Sequence, residues 1–152
     1  MPKINWVRVI VGGLVAAVIC FLSDGFLHER LLAADWKAIY DGLGATPPAP
    51  HGMGLAYFAV FDLGRGLLPI FLYALMRPHC GPGPKTAALA GVVAWLALSI
   101  AVPAQFIPLG FFSNALLVKA GAFQLITSIV ATIAGAALYK DPVTLGSPAP
   151  VV

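Results

Sequence analysis

Three charged side chains interrupt stretches of the sequence that are otherwise apolar. Asp62 and Arg65 lie three residues apart in one stretch, and Lys119 lies in another. A charge at the centre of a membrane costs about 2.5–3.5 kcal/mol on insertion scales, so such residues are expected to pair or to face protein. Because residues three apart share one helix face, Asp62 and Arg65 are predicted to form an intrahelical ion pair.

Depth along the helices adds Lys119 to this pair. At a rise of about 1.5 Å per residue, Asp62 lies roughly 12 Å and Lys119 roughly 9 Å below the same membrane surface. We therefore predict an intramembrane polar cluster of Asp62, Arg65 and Lys119, with Gln105 and Gln124 nearby in sequence. This cluster could bind a substrate, an ion or a proton, or it could be a clamp that fixes helix register. Lys119 could also extend its ammonium group to the membrane surface. The expectation that Asp62 is the only carboxylate deep in a span favours the clamp.

Few residues are candidates for a cofactor, a metal or catalysis. His28, His51 and His79 are weak candidates for binding a pigment or haem, and any cofactor stays unknown. The topology places His79 on the opposite side of the membrane from the other two, so we predict no metal site. The same topology separates Cys20 from Cys80, which excludes a disulfide. No nucleophile has a base nearby and no glycine-rich phosphate loop follows a strand, so we predict that the protein is not an enzyme.

The composition indicates that lipid surrounds most of the chain. The sequence has 152 residues, of which 60% are hydrophobic and 10% are charged. Soluble domains are about 45–50% apolar and about 25% charged, and a small fold cannot bury this excess of apolar surface. The nine Lys and Arg residues are scattered along the chain, which excludes a nucleic-acid partner. The predicted partners are membrane lipid and either other membrane subunits or further copies of this chain.

The pattern of apolar residues predicts an all-α protein, a four-transmembrane-helix bundle with an additional amphipathic helical segment between helices 1 and 2. A single domain, residues 1–140, is expected, followed by a disordered tail, residues 141–152. The predicted transmembrane helices cover about residues 4–23, 52–76, 86–103 and 113–139, and the amphipathic segment covers residues 24–44.

Small residues recur at spacings of four along these helices and predict close packing of helix backbones. Four helices can use only some of these faces internally, so a stripe of small residues could be left to dock another subunit. The predicted packing residues are Gly12, Gly13, Ala16, Ala87, Gly91, Ser128, Thr132 and Gly135.

The distribution of charge predicts an orientation. Four spans place both termini and residues 77–85 on one side, which carries most of the basic residues. Residues 24–50 lie on the other side and carry most of the acidic residues. The excess of Lys and Arg in cytoplasmic loops therefore predicts that both termini are cytoplasmic.

This layout resembles uncharacterised four-helix bacterial membrane proteins that are classed as domains of unknown function. The similar features are a basic start to the first helix and a polar segment with Trp36 and Lys37. A Gly-Pro-Gly-Pro-Lys turn at residues 81–85 and a Phe-Ile-Pro-Leu-Gly connection at residues 106–110 complete the likeness. The resemblance covers roughly residues 3–140. It implies the fold and a location in the bacterial inner membrane, but no activity and no site residue.

These observations predict a non-enzymatic integral membrane protein. The first hypothesis is an accessory or scaffold subunit of a larger membrane complex, acting through helix-helix and lipid contacts. One alternative is a small-solute or ion/proton transporter that uses Asp62, Arg65 and Lys119. Another is a cofactor-associated subunit of a respiratory or photosynthetic electron-transfer complex. An Asp62→Asn variant separates the first two, because a transporter loses flux whereas a scaffold loses only assembly.

Overall fold

The apolar stretches of the sequence fold as long helices in the computed structural model, which describes residues 4–46, 52–110 and 112–140. Four helical stretches are long and apolar enough to cross a membrane, by length and composition. A shorter helix lies between the first two, and the described residues contain no strand. The predicted all-α bundle of four spans with an added amphipathic segment is confirmed, and the chain is a multi-pass membrane protein. The predicted tail, residues 141–152, lies outside the described residues.

The helices follow the apolar runs but differ from the expected bounds at several ends. Helical structure continues past residue 23 at the end of α1, and the third span contains a π-helical turn before it ends. The elements in chain order are α1 (Trp6–Phe26), a π turn (Leu27–Leu31), α2 (Ala33–Leu43), α3 (Met53–Cys80), α4 (Pro84–Trp95), a second π segment (Leu96–Ala101), α5 (Val102–Ala104), a 3-10 turn (Ile107–Leu109) and α6 (Asn114–Ala136).

Local chemistry explains where several helices begin and end. The side chains of Asn5 and Ser113 accept hydrogen bonds from backbone N–H groups in the first turns of α1 and α6. Such caps satisfy donors that a helix start leaves without partners. Pro84 opens α4, where a missing N–H has no cost, and Gly44 ends α2 with φ at +61°.

The four spans alternate in direction around one core. α1 packs against α3 and α6, and α4 packs against the same two helices. At one end of the bundle the Asn5 side chain donates a hydrogen bond to the Lys140 carbonyl, at 3.1 Å. We call this end, where α3 also turns into α4, the terminal end. The opposite end, which carries α2, is called the α2 end.

Towards the terminal end the helix backbones are in direct contact. A Cβ atom added to Gly66 would lie 2.3 Å from the Ala17 nitrogen, and one added to Gly12 would lie 2.5 Å from the Gly135 carbonyl oxygen. All eight small residues predicted for helix packing are buried inside the bundle. This set therefore leaves no stripe to dock another subunit.

The start of α3 is packed much more loosely. From Met53 to Phe61 every residue except Gly54 is exposed. The neighbouring end of α1 leads into a π turn instead of continuing alongside α3. The first turns of α3 therefore have few neighbours at the α2 end.

Candidate functional site

An aspartate near the end of α1 is buried where three helices meet. Asp24 is 8% exposed. Its Oδ2 atom accepts a hydrogen bond from Nη1 of Arg65 on α3 and another, at 3.1 Å, from Nε2 of Gln124 on α6. One carboxylate oxygen thus connects α1, α3 and α6.

The pair that the i, i+3 spacing predicted is present in α3. Arg65 Nη1 lies 2.9 Å from Asp62 Oδ1, and both residues are buried. The guanidinium group therefore lies between two carboxylates, those of Asp24 and Asp62. We call Asp24, Asp62, Arg65 and Gln124 the buried polar network. Two carboxylates and one guanidinium give it a formal charge of one negative unit.

Two atoms of this network have no hydrogen-bond partner among the described residues. They are Oδ1 of Asp24 and Nη2 of Arg65. A buried polar group that is left unsatisfied costs about 1–3 kcal/mol, and more when it is charged. A network selected only to hold helices together is expected to satisfy such atoms or to replace the charges with apolar side chains. The unsatisfied atoms therefore favour a role in binding.

Lys119 lies elsewhere than the sequence predicts. Its Nζ atom is 3.1 Å from both carboxylate oxygens of Asp35, in α2, and its side chain is 56% exposed. The polar cluster of Asp62, Arg65 and Lys119 is therefore corrected: Asp24 takes the place given to Lys119. The physical reason is that a long lysine stem can reach a carboxylate near the surface without losing its hydration. Gln105 is exposed and lies outside the network.

The expectation that Asp62 is the only deep carboxylate is wrong, because Asp24 is buried as well. The sequence Ser-Asp-Gly at residues 23–25 has the composition of a turn, which hid this residue. The residues just beyond Asp24 do indicate that the apolar helix face continues. Leu27 and Leu32 are each 1% exposed and continue the apolar face of α1 past the aspartate.

A π turn, Leu27–Leu31, follows shortly after this aspartate in the chain. The Leu32 N–H donates to the Leu27 carbonyl at 2.9 Å, five residues back instead of four. The extra residue changes the phase of the helix and directs the chain into α2. There Trp36 Nε1 donates to His28 Nδ1 at 2.8 Å. π-helical turns within α-helices are frequent at functional sites.

A cleft of about 520 Å³ opens at the α2 end and is lined by residues of α1, the π turn, α2 and α3. Binding pockets for small molecules have volumes of about 300–1,000 Å³. Since Asp24 and Asp62 are the most buried charged groups of the lining, they form its floor. The walls are mainly apolar and aromatic. The lining residues are Phe21, Leu22, Asp24, Gly25, Phe26, His28, Glu29, Ala33, Trp36, Lys37, Tyr40, Leu55, Phe58 and Asp62.

The three histidines do not come together in the described parts of the chain. His28 lines the cleft, His79 is exposed near the terminal end, and His51 lies outside the described residues. Among the described residues, no three His, Cys, Asp or Glu side chains are placed to hold one metal ion. Cys20 is buried and Cys80 is exposed, and both are free thiols.

Comparisons with known proteins add no relative. No family model matches the sequence, and no curated protein or solved structure matches the chain.

Proposed function

We propose that this protein is a non-enzymatic transporter of a small solute, which binds in the cleft at the α2 end. The observation that carries the proposal is the position of the buried polar network. Two of its carboxylates, Asp24 and Asp62, line a cleft large enough for a small molecule. A structural clamp needs no cavity beside it. An ionisable group inside a membrane span is by default a candidate for a transport pathway.

The network also links solute binding to the spacing of the helices. Arg65 bonds to Asp24 on α1 and to Asp62 on its own helix, α3. A solute that interacts with Asp24 shares this carboxylate with Arg65 and weakens the bridge between the helices. α1 and α3 are in backbone contact at Gly66, whereas the start of α3 is exposed, so we expect a change in the bridge to alter the opening of the cleft. Differential binding to open and closed forms is what drives a conformational change.

The other functions have weaker support. The accessory-subunit function stays a prediction. Its support is weaker because the small residues that could have docked a partner are buried within the bundle. The cofactor-associated function relied on the histidines. His28 is the histidine that lines the cleft, and its Nδ1 atom already accepts a hydrogen bond from Trp36.

The proposed location is the bacterial inner membrane, with both termini in the cytoplasm and the cleft facing outward. Arg8, Arg77 and Lys85 lie in the halves of their helices nearest the terminal end, whereas Glu29 and Asp41 lie at the α2 end. Positive charge on the cytoplasmic side is the general rule for multi-pass proteins.

Cys80 allows a direct test of this orientation, because it is exposed at the terminal end while Cys20 is buried. A membrane-impermeant maleimide should label Cys80 in inverted vesicles but not in intact spheroplasts. A Cys80→Ser variant that carries Gln105→Cys at the α2 end should show the reverse pattern. Labelling of Cys80 in intact spheroplasts would overturn the orientation.

The transport function is tested with purified protein in liposomes. Currents on a solid-supported membrane would be recorded for protons, sodium, organic amines and amino acids, with tracer uptake for neutral sugars. We expect one class to give a signal that Asp62→Asn abolishes. Asp35→Asn is the matched control, because Asp35 and its partner Lys119 both lie outside the cleft lining. Equal signals from both variants, or from empty liposomes, would contradict the proposal.

A further inference from the structure

Resting on the proposed function, we infer that the solute is a hydrophobic organic cation, in which an ammonium or similar group is attached to an apolar body. Three features of the cleft lead to this class. They are the sign of its charge, the nature of its walls and an unsatisfied acceptor on Asp24, a residue of its lining.

The charge of the cleft favours a cation. Its lining contains the carboxylates of Asp24, Glu29 and Asp62 but only one Lys or Arg, which is Lys37. The Lys37 ammonium group lies 2.5 Å from an oxygen of Asp41 and is therefore already paired. A cleft with apolar walls and charges of one sign concentrates counter-ions of the opposite sign.

An anion has no corresponding group to bind. Arg65 is the buried cation of the network, yet it does not line the cleft. Its Nη1 atom is occupied by Asp24 and Asp62, and its Nη2 atom, which has no partner among the described residues, is buried in a residue outside the cleft lining.

The walls favour a large apolar body over an inorganic ion. They include five aromatic side chains, and aromatic ring faces attract organic cations. An inorganic cation instead requires several oxygen ligands in a compact shell. The aromatic residues are Phe21, Phe26, Trp36, Tyr40 and Phe58.

The floor provides a specific contact for the cationic group. Oδ2 of Asp24 is occupied by Arg65 and Gln124, whereas Oδ1 has no partner in the described residues. Asp24 lines the cleft, and its side chain is 11% exposed. An ammonium group that reaches this carboxylate gains an ion pair that water cannot easily screen.

The rim of the cleft allows such a solute to enter from lipid. Leu22 and Phe26 of α1 face outward on one side, and Leu55 and Phe58 of α3 face outward on the other. These four exposed apolar side chains also line the cleft. A hydrophobic cation dissolved in the membrane can therefore pass between α1 and α3 with its apolar body still in contact with apolar groups.

The test uses two probes of nearly the same shape and opposite charge, the tetraphenylphosphonium cation and the tetraphenylborate anion. Binding to the purified protein in lipid nanodiscs would be measured by equilibrium dialysis, with empty nanodiscs to correct for partition into lipid. We expect saturable binding of the cation and none of the anion. Asp62→Asn should weaken the binding of the cation about tenfold or more, equivalent to about 1.4 kcal/mol.

A second pair of variants keeps the test valid if Asp62→Asn fails to fold. Phe58→Ala removes an exposed side chain of the cleft wall and should weaken the binding of the cation about two- to fivefold. Tyr57→Ala is the matched control, because Tyr57 is exposed on the same helix but does not line the cleft. Equal loss in these two variants would overturn the assignment of the cleft.

The outcomes separate this inference from the proposed function. Absence of saturable binding of the cation, or equal binding of the anion, overturns the cationic class. If a neutral sugar or another uncharged solute is nevertheless transported in an Asp62-dependent manner, the transport function stands and only the class is wrong. If no solute in the liposome panel is transported, the proposed function itself fails.

Discussion

At the terminal half of the bundle the backbones of α1 and α6 touch at Gly12 and Gly135, whereas at the α2 end the same helices are joined by the side chains of Asp24 and Gln124. The first contact has no room for a single added carbon atom. The second uses polar groups that can exchange partners, beside a cleft. The comparison teaches that backbone contacts fix the arrangement of the helices in one region, whereas polar side chains join them in the other.

The largest effect is expected from removal of the shared cation. Arg65→Met leaves the buried carboxylates of Asp24 and Asp62 facing each other without a counter-charge. Breaking a buried ion pair in this way costs about 3–5 kcal/mol. The free energy of unfolding, measured by titration with sodium dodecyl sulfate in mixed micelles, should fall by this amount. Lys37→Met, at an exposed pair, should lower it by less than about 1 kcal/mol.

A triple variant sharpens the same prediction. Adding Asp24→Asn and Asp62→Asn to Arg65→Met removes the uncompensated charges together with their partner. Most of the lost stability should return, because exchange of a whole buried ion cluster for neutral groups is often neutral. A triple variant as unstable as the single one would show that the charges are not the source of the loss.

The next largest effect tests the close-packed region. Gly66→Ala would place a Cβ atom 2.4 Å from the Gly13 carbonyl oxygen, and backbone atoms cannot move aside as a flexible side chain can. Overpacking of this kind costs about 1–3 kcal/mol. Gly64→Ala is a matched control on the same helix, because nothing lies within 4 Å of the added carbon. Its unfolding free energy should be unchanged or raised by up to about 1 kcal/mol. Equal losses in the two variants would mean that α1 does not contact α3 at Gly66.

A smaller effect is expected for a single polar contact within the packed region. The Ser128 hydroxyl donates to the Gly91 carbonyl oxygen at 2.9 Å, between α6 and α4. Hydrogen bonds between membrane helices contribute about 0.6 kcal/mol on average. Ser128→Ala should therefore lower the free energy of unfolding by about this amount in the same titration. A loss as large as that of Arg65→Met would erase the distinction between the two regions.

The smallest effect concerns the surface of the α2 end. Lys119→Met breaks the ion pair with Asp35, whose partners are exposed enough to be screened by water. We expect a loss of about 0.5 kcal/mol or less that shrinks further as salt is raised. The loss in Arg65→Met should not depend on salt, because its partners are buried. A salt-independent loss in Lys119→Met would indicate that Lys119 is buried after all.

Local spacing made part of the site predictable. Asp62 and Arg65 are in the same helix, so an i, i+3 contact follows from helix geometry alone. The four spans followed in the same way from length and apolar composition, and this fold is confirmed. The small residues of the packed region were also recognisable, since their spacing of four is a property of one helix at a time.

Contacts between residues far apart in the sequence could not be predicted from local spacing. The partner of Lys119 depends on where α2 lies after the π turn, and a change of helix phase leaves no simple pattern in the sequence. The same turn hides Asp24, because an aspartate before a glycine is usually the end of a helix. The side that a helix end faces depends on tertiary packing. The depth of Asp62 in the membrane therefore does not indicate whether Lys119 or Asp24 is its neighbour.

The most direct test of the central claim is the transport rate of Asp24→Asn in liposomes, divided by the amount of folded protein. The variant keeps an oxygen that can accept a hydrogen bond from Arg65 but loses the charge at the floor of the cleft. We predict that it folds and inserts like the wild type while its solute-dependent current is lost. A folded variant with an unchanged current would show that the buried polar network is a structural clamp.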